Sequence, residues 1–163
     1  MKTKTLYLIR HAKAEEHSFI KRDYDRNLIE KGKERAQQIA TQLAQQLVIT
    51  PQTSVLTSPA NRAIQTAELF CDIIGYSTAQ IKQDKSIYEA HHSAILNAIN
   101  KTPTEVDTLL VFGHNPGLSD LTNYLCNSHI NLATSHVAMI ELEDGMDFSH
   151  LSEGTATLKE ILS

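Results

Sequence analysis

Reactive side chains follow three separate apolar stretches of the sequence. Two arginines, two histidines and a serine lie just after these stretches: Arg10, His11, Ser58, Arg62 and His114. Arginine holds phosphate oxygens with two hydrogen bonds and stays charged at any working pH. A neutral imidazole attacks phosphorus without a metal or a separate base. These residue types together indicate phosphoryl-transfer chemistry with a nitrogen nucleophile.

The apolar stretches have the length and composition of buried β-strands, and helical patterns separate them. Strands are predicted over 5–9, 53–57, 108–112 and 137–142, with a weaker one over 81–87. Helices are predicted from Leu28 to Leu47, from Pro59 to Gly75, over 93–100 and after Pro116. The last segment, 157–162, fits a strand or a short helix.

This alternation predicts an α/β fold, a three-layer α/β/α sandwich whose central sheet is mostly parallel and carries helices on both faces. In open sheets of this kind, ligands bind at the carboxyl ends of the strands. Each reactive residue follows a predicted strand. We therefore expect the reactive residues to meet in one crevice sized for a phosphoryl group.

Length and composition limit the function classes. A chain of 163 residues without repeats or linkers predicts a single domain over 1–163. Fifteen lysines and arginines against 19 acidic residues give a net charge of -4, which argues against binding to nucleic acid or to a membrane surface. The apolar run 6–9 is too short for a signal sequence, and no later segment is long enough to cross a bilayer. We therefore expect a cytoplasmic protein.

The segment 8–14, Leu-Ile-Arg-His-Ala-Lys-Ala, resembles the opening motif of the histidine phosphatase superfamily, and the chain resembles its small SixA-type phosphohistidine phosphatase branch. The resemblance implies that His11 becomes phosphorylated and that Arg10 binds the phosphoryl group. Most members have glycine after this histidine, whereas Ala12 stands here, as is common in the small branch. The resemblance also implies a phosphoglycerate mutase-like sandwich.

Two further motifs complete the expected phosphate site. Segment 56–67 is similar to the second family motif, which implies a phosphate clamp at Arg62 and a neutral donor at Ser58. Segment 111–116 resembles the third motif, in which His114 donates to the phosphoryl oxygens. The order and spacing of these motifs together are specific to the family.

The segment 23–32 is similar to the loop and helix opening of the small branch. The resemblance implies that Arg26 approaches the phosphate. The family usually places proline after this arginine, and this chain has Asn27 instead. A proline would have fixed the loop backbone at that position.

The implied mechanism needs no metal and no cofactor. Neutral His11 attacks phosphorus while Arg10, Arg62 and protonated His114 hold the three oxygens, and water then releases phosphate from the phosphorylated histidine. By its place in the sequence, Glu89 is the candidate proton donor for the leaving group, with a salt-bridge role as the alternative. Phosphohistidine needs less help than an ester, because its P–N bond breaks readily once the leaving imidazole is protonated.

Several functions stay open at this point. A short chain without a large inserted cap favours phosphohistidine on a partner protein over a small phosphorylated molecule. The first alternative is a phosphomonoesterase acting on a small metabolite, and a second is a non-catalytic module that binds phosphate or a phosphoprotein. A metal-binding protein built on the histidines is a third, which His91 and His92 invite. Adjacent histidines point to different sides of an element, so we expect no metal site.

Overall fold

The computed structural model describes residues 3–163, and its centre is a six-stranded sheet. The strands are β1 Thr5–Arg10, β2 Thr53–Thr57, β3 Lys82–Gln83, β4 Thr108–Gly113, β5 Val137–Leu142 and β6 Ala156–Leu162. Their order across the sheet is β3-β2-β4-β1-β5-β6. The pairs from β3 to β1 are parallel, whereas β5 is antiparallel to both of its neighbours. Five strands therefore run in one direction and β5 alone runs in the other, which confirms a mostly parallel sheet.

Helices cover both faces of the sheet. They are α1 Glu30–Ala44, α2 Asn61–Ile74, α3 His92–Asn100 and α4 Gly117–Cys126. Buried residues of α1 and α2 share one core with one face of the strands, and those of α3 and α4 share a second core with the other face. Apolar side chains at helical spacing produce this layering because each helix buries one stripe against the sheet. The predicted three-layer sandwich is confirmed.

The strand register aligns the carboxyl ends of the central strands. Arg10 at the end of β1 pairs with Gly113 at the end of β4, and Thr57 at the end of β2 pairs with Phe112. The residues that follow β1, β2 and β4 therefore leave the sheet at one edge. This register is the physical reason that segments distant in sequence can form one site.

Some element boundaries differ from the sequence-based prediction. Helix α2 begins at Asn61 and not at Pro59, because Ala60 keeps an extended backbone and its N–H donates to the Ser58 hydroxyl. Helix α1 is shorter at both ends than the predicted 28–47. The weak strand over 81–87 shrinks to the two residues of β3, because the Asp84 carboxylate accepts from the Ser86 N–H and turns the chain.

Other boundaries follow the prediction. Helix α2 ends at Gly75, whose φ of 89° is the left-handed conformation that glycine adopts at low cost. The segment for which strand and short helix were both open forms β6, paired with β5. Within residues 3–163, no helix combines the length and the apolar character needed to cross a bilayer.

Candidate active site

Five of the seven residues singled out in the sequence line a cavity of about 370 Å³ at the carboxyl edge of the sheet. The other two, His114 and Ser58, lie next to it, because His114 contacts Arg62 and Ser58 contacts His114. The rings of His11 and His114 lie 5.3 Å apart between centroids. Arginines dominate the cavity wall, whose lining residues are Arg10, His11, Lys13, Ala14, His17, Arg26, Arg62, Glu89, Asn115 and Thr134. This concentration of positive charge in a chain of net charge -4 suits a small dianion.

His11 is held as a neutral ring with a defined tautomer. It is 9% exposed, and its Nδ1 lies 2.8 Å from the carbonyl oxygen of Ala12. A carbonyl only accepts hydrogen bonds, so Nδ1 carries the proton and Nε2 carries the lone pair. Burial and the nearby charges of Arg62 and Arg10 lower the pKa of His11 to about 4. At neutral pH, His11 thus has a free nitrogen lone pair beside the arginines.

His114 is also neutral at pH 7, whereas the implied mechanism has it protonated while it holds the phosphoryl oxygens. Burial, His11 and the Arg62 charge lower its pKa to about 3. Arg62 Nη2 lies 3.3 Å from His114 Nδ1, and a guanidinium only donates, so the ring proton sits on Nε2. A bound phosphoryl dianion would raise this pKa because it favours the charged ring.

Ser58 contacts His114. The residue is fully buried, and its hydroxyl lies 2.7 Å from Nε2 of His114. Neither Ser58 nor His114 is among the residues that line the cavity. Because the ring proton of His114 points at Ser58, this serine accepts a hydrogen bond from it and orients the imidazole. The role of Ser58 as a phosphate donor stays a prediction.

Arg62 is a buried cation and Arg10 a partly buried one, and each has an unused hydrogen-bond donor. Arg62 is 1% exposed and lies in the first turn of α2. Its Nη atoms bond to Asp23 and Glu89, while Arg10 Nη1 bonds to the carbonyl oxygen of Leu132 at 3.0 Å. The Nε atoms of both arginines are buried without a partner among residues 3–163. Such unpaired donors are rare in folded proteins, and an anion in the cavity would satisfy them.

Asp23 is a part of the site that the sequence did not reveal. Its carboxylate accepts from Arg62 at 3.1 Å, from Arg26 at 3.0 Å and from the Tyr88 hydroxyl at 2.5 Å. Burial alone would raise the pKa of Asp23, but the bond from Tyr88 and the two arginine charges lower it to about 2. Asp23 therefore joins two arginines from different elements. The spacing of three residues between Asp23 and Arg26 was a weak signal for their contact. Nothing in the sequence indicated that Asp23 also contacts Arg62 and Tyr88.

Hydrogen bonds hold the loop at the position where the family usually has proline. The N–H of Asn27, which a proline would lack, donates to a Glu15 carboxylate oxygen at 2.8 Å. The Asn27 side-chain oxygen accepts from Asn61 at 3.2 Å and from Gln65 at 2.9 Å. These bonds tie the loop to α2, and Arg26 lines the cavity. That Arg26 binds phosphate stays a prediction.

Glu89 lies where a proton donor would be needed. One carboxylate oxygen is 2.5 Å from Arg62 Nη2 and 3.5 Å from His114 Nδ1. The side chain is 46% exposed, so it faces both the cavity and solvent. In the ligand-free protein Glu89 is an ion-pair partner, which was the alternative interpretation of this residue. The position is compatible with both roles.

The adjacent histidines lie elsewhere. The His91 ring accepts from the Ser93 N–H at the start of α3, and the His92 ring stacks on Tyr124 with centroids 4.9 Å apart. Neither residue lines the arginine-rich cavity. Within residues 3–163, no group of three or more His, Cys, Asp or Glu side chains is arranged to hold a metal ion.

Comparison with known protein families gives one match that spans most of the chain. The model of the histidine phosphatase superfamily (branch 1) matches residues 6–121. A chloroplastic protein from Arabidopsis thaliana is 28% identical over 149 residues, which cover 85% of this chain and 66% of that protein. The chain thus spans just under two thirds of the length of this relative.

Solved structures share the whole fold. The SixA protein of Agrobacterium tumefaciens superposes with a TM-score of 0.82 at 25% identity, covering 100% of this chain and 99% of its own. SixA from Nakamurella multipartitia gives 0.83 at 24% identity, with 100% and 97% covered. A structure of the protein histidine phosphatase SixA in complex with tungstate gives 0.80 at 24% identity, with 98% and 96% covered.

Proposed function

Because the chain belongs to the histidine phosphatase superfamily (branch 1), we propose that it hydrolyses phosphohistidine on a partner protein and releases phosphate, with His11 as the nucleophile. The observation that carries this proposal is the state of His11. Its ring is neutral, its proton is fixed on Nδ1 by Ala12, and its Nε2 lone pair is free beside a cavity lined with arginines. A nucleophile for phosphorus needs this arrangement.

In the first step, Nε2 of His11 attacks phosphorus in line with the leaving group. The P–N bond of the substrate breaks as the new bond to His11 forms, and the leaving imidazole takes up a proton. Arg10, Arg26 and Arg62 neutralise the phosphoryl oxygens, and the buried Nε donors of Arg10 and Arg62 gain partners. The carbonyl of Ala12 stabilises the developing charge on the His11 ring through Nδ1.

In the second step, water attacks phosphorus on His11. The bond to Nε2 breaks, phosphate leaves and the neutral imidazole is restored. From the first step onward the phosphoryl group takes the place of Glu89 at Arg62 Nη2. Glu89 thereby gives the leaving imidazole its proton in the first step, which is the donor role that the sequence suggested, and takes a proton from the attacking water in the second. We propose no metal and no cofactor for either step.

The form of the substrate is the finer part of the proposal. The cavity opens at the carboxyl edge of the sheet, and Lys13, His17 and Glu89 on its wall are partly or largely exposed. A phosphohistidine on a protein surface can enter such an opening. The chain superposes more closely on a protein histidine phosphatase than on phosphatases of small phosphorylated molecules, which supports this substrate. A cytoplasmic location stays a prediction.

A side-by-side assay tests the proposal. The purified protein, with a chelator present, is given a phosphohistidine peptide and a generic phosphoester, and phosphate release is measured. We expect turnover of the peptide to exceed that of the ester. Preference for the ester would favour the alternative phosphomonoesterase, and binding of both substrates without turnover would favour a non-catalytic phosphate-binding module.

A further inference from the structure

Two large apolar side chains stand fully exposed beside the cavity. Phe19 and Ile20 are 110% and 99% exposed relative to a free residue. The other large exposed apolar residues among the described ones are single in the sequence: Val48 lies four residues after α1, and Ile73 lies in the last turn of α2. Single exposed apolar residues are ordinary, but an adjacent pair at the rim of a site indicates a contact surface.

The loop that carries this pair is anchored to the phosphoryl site. The N–H of Glu15 donates to the carbonyl oxygen of Asn27, and Arg26 donates to the carbonyl oxygen of Glu15. Lys21 forms an ion pair with the Glu15 carboxylate at 2.8 Å, which closes the base of the loop. His17, two residues before Phe19, lines the cavity itself. The apolar pair is therefore only two and three residues along the chain from a residue of the cavity wall, which keeps it near the opening of the cavity.

A local turn directs the pair away from the protein. The Ser18 hydroxyl accepts from the N–H groups of Ile20 at 3.3 Å and of Lys21 at 3.1 Å. Such a serine-capped turn is a defined local structure. It presents Phe19 and Ile20 at the tip of the loop, where no described residue covers them.

A groove of about 320 Å³ continues this surface along the site. It is lined by Arg22, Tyr24, Pro59, Lys85 and Tyr88. Arg22 directly follows the loop. The Tyr88 hydroxyl donates to the Asp23 carboxylate, which also binds Arg26 and Arg62. The loop tip, the groove and the cavity are therefore neighbouring parts of one rim.

The charge of this rim selects an anionic ligand. The cavity wall carries four arginines and lysines and the groove wall carries two, and the carboxylates of Asp23, Asp25 and Glu89 pair with three of these six cations. The rest of the chain must carry the excess of acidic residues, since the net charge is -4. A segment with a phosphoryl group and apolar neighbours complements both the charge and the exposed apolar pair.

We propose that Phe19, Ile20 and the groove form a docking surface for the partner segment that bears phosphohistidine, and that this segment has apolar side chains next to the phosphohistidine. The inference rests on the proposed function and deepens it, because it names what the site recognises beyond the phosphoryl group. The apolar neighbours pack on Phe19 and Ile20 while the phosphoryl group enters the cavity. Aromatic and aliphatic anchors of this kind supply much of the affinity at protein interfaces.

The test uses two phosphohistidine peptides of equal length and net charge, prepared with phosphoramidate. One has leucine on both sides of the phosphohistidine and the other has serine. We expect the wild-type protein to prefer the leucine peptide about tenfold in kcat/KM, which is about 1.4 kcal/mol, with the difference in KM. The double variant Phe19→Ser and Ile20→Ser should lose this preference and keep the wild-type rate on the serine peptide and on a phosphoester.

The matched control is the double variant Val48→Ser and Ile73→Ser, which removes exposed apolar surface far from the site. It should keep the preference for the leucine peptide. Equal turnover of the two peptides by the wild-type protein, or a preference that survives in the Phe19 and Ile20 variant, overturns the docking surface alone. Turnover of the phosphoester without turnover of either peptide would contradict the proposed substrate instead.

Sedimentation tests two other partners that could bind Phe19 and Ile20, a lipid surface and a second copy of the chain. The wild-type protein is sedimented alone and with vesicles of anionic phospholipid, beside the Phe19 and Ile20 variant. We expect both proteins to stay unbound to vesicles and to sediment alike. If the wild-type protein shows no preference for the leucine peptide, vesicle binding that depends on Phe19 and Ile20 would identify a lipid surface as the partner instead. Self-association that depends on them would identify a second copy of the chain.

Discussion

The molecule contains two close pairs of histidines with opposite origins. His11 and His114 are far apart in the sequence, yet the parallel register of β1 and β4 brings their rings to 5.3 Å. His91 and His92 are neighbours in the sequence, and their rings lie 4.1 Å apart. The first pair lies at the carboxyl edge of the sheet among arginines, whereas the second pair starts α3 and packs on Tyr124.

The position of an imidazole in the fold, and not its proximity to another histidine in the sequence, determines whether it can react. Burial among arginines lowers the pKa values of His11 and His114 to about 4 and about 3, which keeps both rings neutral at pH 7. Nothing comparable surrounds the second pair, where His91 serves as the cap of a helix. A neutral ring beside fixed positive charge is a nucleophile for phosphate, whereas a cap stabilises local structure.

The largest expected effect separates the two pairs directly. His11→Ala should lower the rate of phosphate release about 10³-fold or more, because it removes the neutral imidazole that lines the cavity. The matched change His92→Ala removes an imidazole of the second pair and should leave the rate unchanged. Phosphate release by the two purified variants checks this difference. Equal rates in the two variants would remove the distinction between the pairs.

A smaller effect on the rate is expected from changing Arg62, one of the arginines that lie beside the first pair only. Arg62→Lys keeps the charge but loses the planar donors that contact Asp23 and face the cavity, so kcat/KM should fall about 10²-fold. The matched control is Arg35→Lys on the exposed face of α1, which should keep full activity. Steady-state kinetics on one substrate compares them. A silent Arg62→Lys change would show that charge alone suffices.

The smallest effect concerns stability. Because the pKa values of His11 and His114 are lowered by folding, the unfolded chain takes up protons that the folded chain does not. The free energy of unfolding should therefore fall as pH falls below about 6.5, by about 1 kcal/mol for each ring between pH 6.5 and pH 5.5. Urea unfolding at pH 6.5 and pH 5.5 measures this loss.

A variant with glutamine at both positions, His11→Gln and His114→Gln, serves as the reference for that measurement. It lacks the two titrating rings and should lose less stability over the same range. An equal loss in the wild-type protein and in this variant would show that other groups control the acid sensitivity.

Much of the fold follows from local sequence. The strands β2 and β5 have the predicted bounds, and β1 and β4 each extend one residue further, because buried apolar runs are strong local signals. The prediction of a strand over 81–87 was wrong beyond Gln83, because the Asp84 side chain turns the backbone and the hydrophobic pattern contains no signal for such a turn. That residues 1–163 form one domain stays a prediction.

The site was predictable only in part. Arg10, His11, Arg62 and His114 follow strands, so the rule on carboxyl ends predicts their meeting. The role of Ser58 behind His114 and the bridge made by Asp23 depend on side-chain directions in the folded chain. Tyr88 reaches Asp23 across 65 positions of sequence, a contact that no spacing rule predicts.

The central claim is that Nε2 of His11 accepts the phosphoryl group. The most direct test is to mix the protein with a phosphohistidine peptide, quench in alkali within the first turnover and locate phosphate by peptide mass spectrometry. We expect one phosphoryl group on His11 in the wild-type protein and none in His11→Ala. A phosphoryl group on His114 or on any other residue, or turnover without any phosphorylated protein, would contradict the account.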